Sequence, residues 1–328
     1  MLETQIKEGK KRIEKKLSNK LININQQSQK YIRDIITLIN KKIGINKILS
    51  IILFGSQRAK VKEATSLSDC DLLIIFKDCV SNHHIKEIEK YFICLEVKHN
   101  FRDYDSSISR KIMNVLQQST GIFVSHFLTK QKYWENKIFH KIFRVNKVFS
   151  RIFAPRNIVL GNVLINSTIL LGKDLRKKVK SKIHISMLEM IKSIIMNLMI
   201  SFFSIFISPL KNLKPIKYQL EATKWSLKAS NYYCFRDSTN LKKISERFIT
   251  FEKPRFQKRA KVFFSDFLRL RRVPRNDLRF MIRCPIRIIR MHIKGISFKK
   301  LIKKKERFRL NSEQIKPIIP DRSFPFRI

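Results

Sequence analysis

The chain has 328 residues, 44% of them hydrophobic, and its 70 Lys and Arg against 25 Asp and Glu give a formal net charge of +45. This length exceeds that of one small domain, and the apolar content excludes a wholly disordered chain. A field of this sign attracts polyanions, so nucleic acid, nucleoside triphosphates and anionic membranes are candidate partners. Codon bias in an AT-rich genome is the alternative source of the charge, but it would also tolerate the acidic residues that are scarce here.

Cysteine usage and the N-terminal residues bear on where the protein resides. The five cysteines, at positions 70, 79, 94, 234 and 284, form no CxxC pair, and we interpret them as reduced thiols. Residues 3 to 20 are charged and lack the apolar stretch of a signal peptide. The sequence therefore predicts a cytoplasmic protein.

The first third of the chain alternates helical and strand patterns. Residues 1 to 47 are basic with apolar positions near helical spacing, which predicts a helical N-terminal extension. Ile48 to Phe54 and Leu72 to Phe76 are short apolar runs typical of buried strands. The polar residues 57 to 68 between them predict a connector. Ile85 to Val97 fits a helix, although its last six residues also fit a strand.

Further signals complete a predicted domain over residues 48 to 148. Residues 107 to 118 have a helical pattern, Thr120-Gly121 breaks it, and residues 122 to 128 fit another strand. This order predicts an α+β fold with a small mixed β-sheet and flanking helices.

The remaining sequence predicts a mainly α-helical domain at residues 149 to 250 and a basic C-terminal extension at 251 to 328. The clearest helical segments are 183 to 207 and 220 to 234. Residues 193 to 210 carry no charge, which reaches the lower length limit of a membrane span. Asn197 and four serines in this run favour burial in a helical bundle, with membrane contact as the less favoured alternative.

The C-terminal extension has 24 Lys and Arg against 6 Asp and Glu. This composition favours contact with RNA or another polyanion, and a solvated basic tail is the competing interpretation.

Two short motifs carry the chemistry. In Leu53-Phe54-Gly55-Ser56, glycine after a buried strand permits a tight turn close to phosphate oxygens, and serine adds polar donors. In Asp69-Cys70-Asp71, carboxylates two residues apart on a strand share one face and suit a shared divalent metal. Each motif alone is common, whereas their occurrence together is far more specific.

This pair of motifs resembles the DNA polymerase beta-like nucleotidyltransferase superfamily, particularly its minimal, antitoxin-like members. The resemblance covers about residues 48 to 130, with weaker similarity at Gly172-Lys173-Asp174 and Lys224-Trp225. It implies that Gly55 and Ser56 bind the triphosphate. It also implies that Asp69 and Asp71 are catalytic and coordinate Mg²⁺ or Mn²⁺, with a nucleoside triphosphate, expected to be ATP, as substrate.

Two features depart from the family pattern. Gln57-Arg58-Ala59-Lys60 replaces the usual Arg-Ala-Arg-Gly, and Arg58 is the candidate phosphate contact there. The third carboxylate that family members place on a later strand has two candidate replacements. Glu96 in Leu95-Glu96-Val97 is the first, and His126 is the second.

The sequence thus predicts a Mg²⁺-dependent enzyme that transfers a nucleoside monophosphate to a hydroxyl of RNA, protein or a small molecule. The alternative is a catalytically degenerate module of the same fold that binds nucleic acid or a regulatory partner. The two differ in whether Asp69 and Asp71 are needed for function.

Overall fold

The computed structural model describes residues 17–22, 24–55, 70–101, 125–210 and 214–314, with side chains as far as residue 302. The fold is mixed α+β and contains one four-stranded sheet in this part of the chain. The predicted helix at 107 to 118 and the predicted connector at 57 to 68 lie outside the described residues.

The sheet has the strand order β3-β2-β1-β4. β1 is antiparallel to β2 and to β4, whereas β2 is parallel to β3. The strands are β1 (Ile48–Phe54), β2 (Asp71–Phe76), β3 (His126–Lys130) and β4 (Ser167–Gly172). β1 and β2 are buried on both faces, which is why their sequences are unbroken apolar runs rather than alternating ones.

Helices cover both faces of this sheet. The N-terminal helices are α1 (Gln26–Lys42) and α2 (Asn82–Lys98), followed by the short helices α3 (Gln131–Glu135), α4 (Phe139–Ile142), α5 (Lys147–Ile152), α6 (Arg156–Ile165) and α7 (Arg176–Lys180). Asn25 and Ser81 cap α1 and α2 by accepting hydrogen bonds from Ser28 N and His84 N, which fixes where these helices begin. Residues 17–21 are also helical, as the sequence predicts, but in the described part of residues 1 to 47 these helices pack into the core beside the sheet and do not form an extension.

Alternate strand residues divide the core into two layers. Leu72 and Ile74 pack with Phe92 of α2 and with α1 on one face. Leu73 and Ile75 pack on the other face with apolar side chains of α4 and α6. Residues of odd and even number on β2 therefore point to opposite layers.

A helical bundle follows the sheet. Its helices are α8 (Met187–Phe206), α9 (Pro215–Cys234), α10 (Leu241–Thr250), α11 (Pro254–Arg272) and α12 (Leu278–Gln314). α9 and α11 begin with Pro215 and Pro254, which suit the first helical turn because its N–H groups lack intrahelical partners. The helices predicted at 183 to 207 and 220 to 234 are confirmed as α8 and α9.

The region predicted as a C-terminal extension belongs to the bundle. Phe263, Phe267 and Phe280 are buried with Leu220 and Phe248 in one apolar cluster. Aromatic residues interspersed among the basic ones supply this core, so residues 254 to 302 are not a solvated tail. The predicted boundary at residue 251 lies inside a continuous hydrophobic core.

Two further sequence interpretations differ from the structure. The strand alternative for residues 92 to 97 is wrong, because α2 continues to Lys98 and buries Phe92 against the sheet. β4 was not predicted, and it pairs with β1 from within the region assigned to the helical domain. The sheet therefore extends past the predicted boundary at residue 148, since strand pairing joins residues that are distant in sequence.

Candidate nucleotide site

Gly55 forms a tight turn at the end of β1. Its φ is +82°, a left-handed conformation that favours glycine. A Cβ atom placed on Gly55 would lie only 1.9 Å from Oδ2 of Asp71. The absence of a side chain thus lets the Asp71 carboxylate lie directly against the turn.

Asp71 is held beside this turn by strand pairing. It is the first residue of β2 and pairs with Phe54, the last residue of β1. Cys70 before it is fully buried, whereas Asp71 is only partly buried. Ser56, Arg58 and Asp69, the other candidates from the two motifs, lie outside the described residues.

α9 carries a charged face, and Lys228 on this face interacts electrostatically with Asp71. Glu221, Lys224, Trp225 and Lys228 follow one another at helical spacing on this face. Lys224 forms an ion pair with Glu221, and the ammonium groups of Lys224 and Lys228 each lie 5.8 Å from the centre of the Trp225 ring. Arg271 of α11 also reaches Glu221, with 3.3 Å between Nη1 and Oε1.

This group, Glu221, Lys224, Lys228 and Arg271, has three cations around one carboxylate. Burial alone would raise the pKa of Glu221, but Lys224 and Arg271 hold that pKa below its usual range. Burial, followed by the charge of Lys224, lowers the pKa of Lys228 to about 8, while Glu221 and Asp71 act in the opposite direction. The site therefore has surplus positive charge and a lysine that is costly to keep protonated without an anion.

Glu96 and His126 form a separate buried pair. The distance from His126 Nδ1 to Glu96 Oε1 is 2.7 Å, and both side chains are about 95% buried. His126, the first residue of β3, pairs with Leu72 and lies edge-on to Phe92 of α2. This is the α2 layer, whereas Asp71 shares the opposite layer with residue 73, two positions along the strand.

The structure therefore brings together Gly55 and Asp71 but does not bring Glu96 or His126 to them. Strand alternation directs the Asp71 and His126 side chains to opposite faces of the sheet. Lys224 and Lys228, by contrast, were not predicted as site residues. Their signal in the sequence was the helical spacing of Glu221, Lys224 and Lys228, which gains a meaning only from the interaction of Lys228 with Asp71 in the tertiary structure.

The residues present suit a hard divalent cation only in part. No group of three or more His, Cys, Asp or Glu side chains converges within the residues that the structure describes. Asp71 presents a partly exposed carboxylate, the oxygen ligand that Mg²⁺ prefers. Together with Asp69 it would hold the ion, which would supply neutralisation of phosphate charge.

Replacing Gly55 with Ala is expected to destabilise the fold and to weaken nucleotide binding. The left-handed backbone alone costs roughly 1 to 2 kcal/mol for an L-residue, and the new methyl group would displace the Asp71 carboxylate. Gly44→Ala is the matched control, because Gly44 also has a positive φ of +95° but lies at the surface loop before β1. Urea unfolding should show losses for both variants, whereas calorimetric titration with Mg²⁺–ATP should show weaker binding for Gly55→Ala alone. Equal binding by both variants would show that Gly55 does not contribute to the nucleotide site.

No protein-family model matches this chain, and no curated protein sequence matches it significantly.

Proposed function

We propose that this protein is a nucleotidyltransferase that transfers a nucleoside monophosphate from a nucleoside triphosphate to a hydroxyl acceptor. The observations that carry the proposal are the glycine turn at the end of β1, the Asp71 carboxylate held against it, and the electrostatic interaction of Lys228 on α9 with Asp71. Nucleotidyl transfer needs a cation-rich phosphate cradle beside carboxylates that hold a divalent metal. This end of the sheet supplies both kinds of group.

Each group has a role in this proposal. Lys224 and Lys228 hold the β- and γ-phosphates, and the backbone at Gly55 admits the triphosphate close to the strand end. Asp71, with Asp69, would hold Mg²⁺, which would supply neutralisation of the phosphate charge. The acceptor oxygen forms the new bond to the α-phosphorus, the bond to the bridging oxygen breaks, pyrophosphate leaves with that electron pair, and the hydroxyl proton passes to water.

The net charge of +45 favours a polyanionic acceptor, and RNA is the one we propose. Protein and small-molecule hydroxyls are the alternatives, and ATP is the nucleotide that we expect.

The pH dependence of Mg²⁺–ATP binding tests the role of Lys228. Because the pKa of Lys228 is lowered to about 8, the free site loses this cation as the pH rises through 8, and bound phosphate favours the protonated form. We expect the dissociation constant to increase by up to about tenfold between pH 8 and pH 9. Lys228→Arg keeps its charge over this range and should bind with little pH dependence.

Calorimetric titration over pH 7 to 9 provides the measurement. Lys228→Gln should bind weakly at every pH, and Lys242→Gln, at an exposed lysine of α10, should behave as wild type. A parallel pH dependence in wild type, Lys228→Arg and Lys228→Gln would show that Lys228 does not contact the nucleotide.

A catalytically degenerate module is the second candidate, and the Glu96–His126 pair favours it. Active family members are expected to place a third carboxylate beside the two aspartates, whereas Glu96 is engaged with His126 in the other layer. Such a module would bind nucleic acid through its basic surface with an affinity that falls steeply with salt. Its binding would not depend on Asp71.

A further inference from the structure

Helices α8 and α12 are antiparallel neighbours joined by polar side-chain contacts. Asn197 Nδ2 lies 3.4 Å from His292 Nε2, and Lys299 Nζ lies 3.9 Å from Met190 Sδ. As the residue number falls on α8, it rises on α12, which defines the antiparallel arrangement. The exposed apolar residues of these two helices, from Leu188 to Phe206 on α8 and from Leu278 to Ile293 on α12, are together termed the α8–α12 face.

The polarity of α8 is the reverse of that in a typical soluble helix. Its inner side carries the apolar Met190 and Ile200 and a larger set of buried polar residues, namely Glu189, Ser193, Asn197, Ser201 and Ser204. Its outer side carries exposed apolar residues at steps of three or four, namely Leu188, Ile191, Ile195, Met199, Phe202 and Phe206. Phe206 is 82% exposed and Leu188 is 60% exposed. Large side chains in such a continuous stripe are unfavourable in water and mark a contact surface.

α12 has a second stripe of the same kind. Its exposed apolar residues are Leu278, Ile282, Ile286, Ile289 and Ile293. Ile289 and His292 are neighbours on the helix surface, so this stripe borders the contact with α8. Each stripe spans four to five helical turns, or roughly 25 Å.

Basic residues flank the apolar stripes. Arg279 is exposed on α12, beside its stripe and on the side away from His292. Arg283 lies on the same side and forms an ion pair with Asp266 of α11. Lys192 of α8 donates a hydrogen bond to the backbone oxygen of Arg151. This contact places the exposed Lys147 and Arg151 of α5 next to α8. Within residues 187 to 206 and 278 to 302 the only acidic residue is Glu189, and it is buried. The face is therefore apolar at its centre and cationic at its edges.

Charge decides which partner fits this face. A second copy of the chain would bring another +45 charge to the same surface, and repulsion opposes that association. An anionic lipid surface attracts the basic edges and accepts the apolar centre. α8 is long and apolar enough to cross a membrane, but its inner polar side chains bond within the bundle, so contact with the surface fits better than a span.

We propose that the α8–α12 face binds reversibly to anionic membrane surfaces, with Phe202, Phe206 and the isoleucine stripe entering the boundary between headgroups and acyl chains. This contact is independent of nucleotide binding, because the stripes face outward from the bundle and none of the nucleotide-site residues belongs to them.

Co-sedimentation of the full chain with phosphatidylcholine vesicles, with and without phosphatidylglycerol, tests the proposal. Wild type should bind only the anionic vesicles. Ile195→Ser/Phe202→Ser/Phe206→Ser should reduce that binding at least about tenfold. The matched control is Ile22→Ser/Val262→Ser/Val273→Ser, which replaces equally exposed apolar residues elsewhere and should bind as wild type. Circular dichroism and urea unfolding verify that both variants fold.

Phe202→Trp provides a direct readout of insertion. Its fluorescence, measured as the difference from wild type, should shift to shorter wavelength on anionic vesicles and be quenched by brominated acyl chains, whereas that of Ile22→Trp should not. Equal binding by the two triple variants would mean that charge alone holds the protein, and would overturn the proposal. Wild type that self-associates through these residues in ultracentrifugation without binding vesicles would also overturn it.

Discussion

Replacing Asp71 with Asn is expected to lower Mg²⁺-dependent nucleotidyl transfer by about 100-fold or more, which is the usual scale for losing a group that stabilises transition-state charge. Asn has nearly the same size as Asp, so the contact with the Gly55 turn and the pairing with Phe54 are kept. The change removes the negative charge that would hold a divalent metal at the strand end. Transfer of label from α-³²P-labelled nucleoside triphosphates to RNA, with pyrophosphate release, provides the measurement.

Asp78→Asn is the matched control for this variant. Asp78 follows the opposite end of β2 and accepts a hydrogen bond from Lys132 N, a role that an amide oxygen can retain. Asp78→Asn should transfer label at the wild-type rate. Equal rates in wild type and Asp71→Asn, including equal absence of transfer, would contradict catalysis at this site. RNA binding that is steeply salt-dependent and unchanged in Asp71→Asn would then favour the degenerate module.

Acid is expected to destabilise the helical bundle through His292. This histidine is fully buried, and burial lowers its pKa to about 3. The Asn197 amide faces Nε2, and Tyr233 Oη lies 2.9 Å from Nδ1. The neutral ring with its proton on Nδ1 satisfies both contacts, since it donates to Tyr233 and accepts from Asn197. A second proton, on Nε2, would make Nε2 a donor that faces the donor Nδ2 of Asn197 in an apolar interior.

Proton linkage determines the direction in which pH changes the stability of the bundle. The unfolded chain protonates this histidine below pH 6.5, whereas the folded chain resists until about pH 3. The unfolded state therefore binds one more proton between these values, and the free energy of unfolding falls as the pH falls. His292 alone should contribute about 1.4 kcal/mol per pH unit within this window.

His292→Gln should be less stable than wild type at pH 7.5, because it loses packing and the bond to Tyr233. Its free energy of unfolding should then fall less steeply as the pH falls, by the roughly 1.4 kcal/mol per pH unit that one bound proton contributes. His184→Gln, at an exposed histidine, should keep the wild-type slope. Urea unfolding at intervals from pH 7.5 to 4.5 gives these slopes, and an unchanged slope in His292→Gln would show that another group controls acid sensitivity.

The sequence predicted individual helices and strands correctly where the hydrophobic pattern had a direct physical cause. Runs of β-branched residues identified β1 and β2, because strands buried on both faces have no polar side. Helical spacing identified α1, α8 and α9. The Gly55 turn and Asp71 were also identified from sequence, since each motif depends on the chain within a few residues.

The sequence did not predict the fourth strand, and it did not predict that the basic C-terminal helices are buried. β4 is only partly buried and follows a helix, so its own sequence lacks the continuous apolar signal of β1. In α11 and α12 the many arginines make each segment polar on average, although aromatic residues such as Phe263 and Phe280 form the core. Pattern counting averages over a segment, whereas burial depends on which face a residue occupies.

The sequence by itself determined the strand-turn unit at Gly55, the carboxylates proposed for the metal and the strongly cationic character of the protein, because composition and short spacings fix these properties. Only the tertiary structure decided which charged groups meet. It brought Lys228 of a distant helix into electrostatic interaction with Asp71, and it held Glu96 with His126 in the other layer of the core. Long-range packing sets these neighbours, and no local spacing encodes them.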